Sequence, residues 1–194
     1  MLFRSSFEAG NEKLASLVSA EYLHTGNRRI GGGQRVAPSA YAAQAARIAV
    51  SATPDEASSW LFDLQFARQP STPRIDELVA GFGQTQPSSE EFLFVPNDRV
   101  FAHLRHVRKG WLWSADWSFD AGWQRIVDDR VTRNFGSQVR QHEENSSDLF
   151  GFTVSAAKDM DGGSWIVGVD YYHDSVDSQR IEEDVASGQI GRAH

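Results

Sequence analysis

Apolar residues recur along the chain at spacings of three and four in its first half and of two in its second, and that change of period predicts the order of the elements. Asn11 can cap a helix carrying Leu14, Leu17, Val18 and Tyr22 on one face, with Gly26 as its stop. Ser39 can start a second, striped by Tyr41, Ala45 and Ile48. Thr53-Pro54-Asp55-Glu56 reads as a capping box ahead of a helix that buries Trp60, Leu61 and Leu64, and Thr72-Pro73 repeats the device before Ile75, Leu78, Val79 and Phe82.

From Glu91 onward alternation takes over. Val100 to Val107 and Trp111 to Phe119 pair as a hairpin around Arg108-Lys109-Gly110. Trp123, Ile126, Val127 and Val131 return to helical spacing. Leu149 to His173 then gives the clearest hairpin: Phe150, Phe152 and Val154 alternate with Gly151 and Thr153, Asp159 to Gly163 turns, and Trp165, Val167, Val169 and Tyr171 alternate on the way back. The expected fold class is α+β, a helical N-terminal half packed on a mainly antiparallel sheet from the C-terminal half.

The ends change how much of the 194 residues enters that reading. Leu2 to Ser5 back-translates to CTC TTC CGA TCT and Ile190 to His194 to ATC GGA AGA GCA CAC, the two orientations of a common sequencing adapter. Residues 1–5 and 190–194 are therefore read as translated adapter and set aside. Residues 6–188 are expected to form a single α+β domain, a fragment of a longer protein, with an apolar sheet edge or helix face left exposed near Ser6 or Gly188.

With 40% hydrophobic and 23% charged residues, the composition is that of an ordinary soluble domain. No stretch approaches the roughly 20 consecutive apolar residues of a spanning helix, and no signal segment is read within this window. The absence of cysteine excludes thiol chemistry and disulfides. Charge is uneven: three basic and eleven acidic residues lie between His142 and His194, Asp174, Asp177, Glu182, Glu183 and Asp184 among them. Such a run is either a solvated surface or an acidic face for a basic protein partner. Neither a membrane nor a nucleic acid is expected as a partner.

Three sets of residues carry candidate chemistry. Trp111, Trp113 and Trp117, beside Asp116, would share a strand face with Phe119 and could stack planar ligands, or could form the sheet face on which the helices pack. His173, Asp170, Asp174 and His142 are the residue types of a hydrolase or sugar-active site, without any complete catalytic motif around them. Asp159, Asp161 and Asp170 fall at positions 1, 3 and 12 of a calcium-loop count. Ser164 in place of glycine at position 6, an aspartate at 12 and strand-like flanks favour a hairpin turn instead, and no cofactor is expected. Two functions are open to the chain: a non-enzymatic binding or assembly module using the Trp-rich sheet and the acidic surface, or part of a hydrolase or sugar-active enzyme. Convergence of the carboxylates and histidines in one pocket separates them.

Overall fold

The computed structural model describes residues 1–192. Its strands are β1 (Leu2–Gly10), β2 (Leu14–Thr25), β3 (Arg28–Arg29), β4 (Arg35–Val36), β5 (Tyr41–Asp55), β6 (Ser58–Gln69), β7 (Thr72–Pro73), β8 (Ser89–Arg108), β9 (Asp116–Asn134), β10 (Val139–Met160), β11 (Gly163–Asp184) and β12 (Ile190–Arg192). One helical turn, α1 (Ile75–Leu78), follows β7, and a 3-10 turn covers Leu112–Ser114. All strands but β3 and β4 join one antiparallel sheet in the order β1-β2-β5-β6-β8-β9-β10-β11-β12, with β7 added to β8.

The expected α+β architecture is thus overturned: the fold is mainly β, and the N-terminal half is sheet. A spacing of four is the reason. Leu14, Val18 and Tyr22 share a helix face, but positions an even number apart also share a strand face, and Ser16 and Ala20 between them conceal the alternation. The same ambiguity covers Trp60 and Leu64, and Trp123, Val127 and Val131. Asn11 does accept hydrogen bonds from the backbone N–H groups of Lys13 and Leu14, at 2.9 and 3.0 Å, as a cap would; here they close the β1–β2 turn. At the expected capping box, Asp55 accepts from the N–H of Ala57 in the β5–β6 turn. Of the predicted helices only Ile75–Leu78 survives, as a single turn.

The hairpin expected from Leu149 to His173 is present and longer, running in unbroken register from Val139↔Asp184 to Met160↔Gly163. Gly162, at φ 92°, supplies the left-handed conformation of its two-residue turn.

No second layer of helix or sheet covers either face among the described residues, and the surface shows it. The accessible area is 13110 Å², against about 9200 Å² for a compact monomer of this length. Ala115 and Ala156 are the only hydrophobic side chains that are buried among the described residues, and no large one is fully enclosed.

Connections differ at the two ends of the sheet. Residues 11–13, 56–57 and 161–162 make turns of two or three residues at one end, where residues 109–115 form the remaining, wider link. At the other end residues 26–40 and 70–88 make long excursions, with shorter links at 135–138 and 185–189.

Candidate functional site

Directly paired residues in adjacent strands point to the same side of a sheet, so the register sorts every side chain onto one of two faces. One row of partners reads Phe7, Val18, Ile48, Leu64, Ala102, Trp123, Phe150 and His173. The next row, one residue along each strand and hence on the opposite side, reads Glu8, Leu17, Ala49, Asp63, His103, Gly122, Gly151 and Tyr172. Two residues further toward the short turns the first face stays apolar, with Val50, Phe62, Leu104, Ala121, Phe152 and Tyr171; two residues the other way Ala46, Phe66 and Val100 continue it on β5, β6 and β8, while on β9 to β11 the same row is Arg125, Asp148 and Ser175. It ends in charge: toward the long connections Arg68 meets Asp98 at 3.6 Å and Arg125 meets Asp148 at 3.3 Å. Trp123 donates its indole N–H to Asp148 at that boundary.

On β11 the apolar band runs from Trp165 to His173, about 26 Å of strand at 3.3 Å per residue. The side chains of this face are left open, with Val167 and Val169 each 60% exposed.

The opposite face is polar and internally bonded. Arg47 holds Asp63 through Nε at 3.1 Å to both carboxylate oxygens. His103 Nε2 lies 3.1 Å from Asp120, whose other oxygen accepts from Ser118. Thr153 donates to Asp170 at 2.6 Å, and Ser147 to Asp174 at 3.2 Å. Tyr172 lays its ring over Gly151, where a Cβ would sit 2.6 Å from a ring carbon.

β8 to β11 continue past the apolar band, with mainly polar residues on β10 and β11 and the run Phe92 to Val95 on β8. There Glu91, Arg133, Arg140 and Glu183 form a network across four strands: Arg133 and Arg140 both bind Glu91, Arg140 reaches Glu183 at 3.2 Å, and His142 lies 3.1 Å from Glu183. Arg133 also contacts Glu90. The Arg140 hydrogen bond, with Arg133 adding to it, holds the Glu91 carboxyl below the usual glutamate range, while His142 and then Arg140 do the same for Glu183.

The candidate residues from the sequence are dispersed by this geometry. Asp170 and Asp174 lie on the polar face and His173 on the apolar face, so Asp174 cannot orient the neighbouring imidazole. His142 pairs with Ile181, about 26 Å along β11 from His173. Asp159 and Asp161 sit at the β10–β11 turn, and Asp170 lies far down β11 on Thr153. No group of three or more His, Asp or Glu able to hold a metal occurs among the described residues.

The Trp residues do cluster. Trp111 has its ring 5.8 Å from Trp117 and 6.0 Å from Phe119, and Trp113 is 5.9 Å from Trp117. They are not one strand face, because Trp113 lies in the 3-10 turn and Trp111 immediately before it, and among the described residues no helix packs on them. Asp116 is occupied in the turn by the N–H of Gly110. The acidic residues of the C-terminal segment also divide between faces, with Glu183 paired and Asp184 capping the turn at Ser187.

The chain matches no known protein family, no curated protein and no solved structure. Among the described residues no helix is long and apolar enough to cross a membrane.

What reading the sequence missed is the two-faced sheet itself. Its signal is the alternation Trp60, Phe62, Leu64, Phe66 against Leu61, Asp63, Gln65, Ala67, which the spacing of four obscures.

Proposed function

We propose that this chain is a stretch of the wall of a membrane-spanning β-barrel, with the Phe7–Phe150 face toward lipid and the Asp63–His103 face toward a polar lumen. The observation that carries it is the register: across eight adjacent strands one face is apolar and the other is bonded polar. Strands span a bilayer in about 9–11 residues, with apolar and polar side chains alternating, which is why no continuous apolar run is needed. Charged residues end the apolar band, and aromatic rings stand at both of its rims, Trp123 at one and Trp117 and Trp165 at the other. Short turns at one end and long excursions at the other fit the same architecture.

A barrel wall has to be closed, because unpaired backbone groups are not tolerated in lipid. β1 has one partner strand, and β11 pairs outward with β12 only over Ile181–Glu183. Closure requires further strands at these two edges, supplied in this reading by other copies of the chain in vesicles and by the rest of a longer polypeptide of which residues 6–188 are part.

Two copies stacking their apolar faces would also cover them, but that packing gives no reason for aromatic rims and charged borders. The chain has no cysteine, so each introduced thiol is a unique reporter. In phosphatidylcholine vesicles, Val169→Cys and Ile48→Cys are expected to resist a water-soluble maleimide and to shift an attached polarity-sensitive dye to the blue. Asp170→Cys and Ser51→Cys, on the other face, are expected to react. Equal reactivity of both faces, or a water-soluble dimer with Val169→Cys protected without lipid, overturns the reading.

A further inference from the structure

A concavity of about 610 Å³ lies on the apolar face near the short turns. Its floor is Leu104 and Ala121, paired across β8 and β9, and Ala121 leaves a dip between larger neighbours. Trp60 stacked on His106 forms one wall, with ring centroids 3.7 Å apart, and Trp111 beside Phe119 forms another.

The rim is polar where the surrounding face is not. His106 Nδ1 lies 3.1 Å from the carbonyl of Ser59, which can only accept, so the proton sits on Nδ1 and the lone pair of a neutral ring is on Nε2. That nitrogen has no partner among the described residues. Arg108 contacts Asp55 through Nη1 at 3.0 Å, while its Nε and Nη2 make no hydrogen bond among the described residues. Polar side chains on a lipid-facing surface are expensive unless something meets them.

Resting on the wall reading, the geometry points to a site for one phospholipid with a primary ammonium headgroup. An acyl chain lies over Leu104 and Ala121, the phosphate takes the open donors of Arg108, and the ammonium donates to Asp55 and His106 Nε2. Arg108 with Asp55 beside it, just outside the concavity, complements a zwitterion better than a purely anionic headgroup, which Asp55 would repel. A choline headgroup has no N–H to give, which makes the headgroup the discriminating feature.

Native mass spectrometry of the full chain in maltoside micelles, titrated with phosphatidylethanolamine or phosphatidylcholine of identical acyl chains, tests this. One retained phosphatidylethanolamine is expected, favoured over phosphatidylcholine by about tenfold, the scale of one charge-assisted hydrogen bond. Arg108→Gln is expected to abolish retention. Asp55→Asn, which can still accept from Ala57, is expected to erase the preference, and soluble phosphoethanolamine is expected not to compete. Equal retention of both lipids, unsaturating retention of many, or retention unchanged in Arg108→Gln with a native circular dichroism spectrum overturns it. The maleimide experiment in phosphatidylcholine needs no ammonium headgroup, so a chain that inserts there without selecting phosphatidylethanolamine defeats the lipid site alone. Failure to insert defeats both.

Discussion

Gly151 is a position where one methyl group has no room: a Cβ would fall 2.6 and 2.8 Å from two ring carbons of its cross-strand partner Tyr172. The ring covers the bare backbone and has to leave if the glycine is replaced. Gly151→Ala is expected to destabilise the sheet by about 1–3 kcal/mol, and by distinctly less in a Tyr172→Ala background, as read from a double-mutant cycle of urea unfolding in micelles. Asp63 is 7% exposed and is held by both contacts from Arg47 Nε. Asp63→Ala in the same assay is expected to destabilise the sheet, since it removes both contacts to Arg47. Local chemistry at this scale is partly legible in the sequence. Asn11 is identifiable as a residue whose side chain accepts backbone N–H groups two and three positions on, and it does so. Whether a helix or a strand comes after such a residue is not a local property, because the same bonds open a helix or close a hairpin.

At the level of elements, the hairpin at Leu149–His173 is legible because Phe150, Phe152 and Val154 alternate without interruption around a glycine-containing turn. β2, β5 and β6 are not. In β2 the large apolar residues fall four apart with Ser and Ala between, and in β6 Leu61 joins Trp60 and Leu64 in a helical stripe, patterns equally at home on a helix, and nothing in the local sequence says that a second face must be polar. Cross-strand charge is equally invisible: Glu91 and Arg140 are separated by the whole of β9 in the chain and meet only across that strand, which pairs with β8 on one side and β10 on the other. That network has a pH consequence. Glu91 and Glu183 are held below the ordinary glutamate value of 4.5, so their contribution is complete above it and is lost as pH falls through the lower, folded values. Hydrogen-exchange protection at residues 139–144 and 180–184, corrected for the intrinsic exchange rate, is expected to fall as the pH drops below 4.5. Arg140→Gln is expected to show low protection on both sides of that pH, and an unchanged pH response in that variant would remove the network as its source.

For the whole molecule, the excess of about 4000 Å² over a compact monomer and the lack of any fully enclosed large side chain mean that this sheet is half of a packing arrangement. Composition cannot show this, since 40% hydrophobic residues serve a buried core and a lipid-facing band equally well. A search for long apolar runs finds helices only, so the expectation of no membrane partner rests on a test that strands do not face. In sealed vesicles, Gly32→Cys among the long excursions and Asp161→Cys in a short turn are expected to be labelled from opposite sides by an impermeant maleimide; labelling of both from one side would deny that the sheet crosses. The extension of β10 and β11 past the apolar band has one more effect. From Asp148 to Val139 the strand travels about 30 Å, which at the roughly 45° tilt of a spanning strand raises the 135–138 and 185–189 links by about 20 Å in the wall reading. Those links would stand above any polymer coat thinner than that height. In sealed vesicles an antibody fragment raised against residues 135–138 is then expected to bind from one side, and one raised against the short turns only from the other.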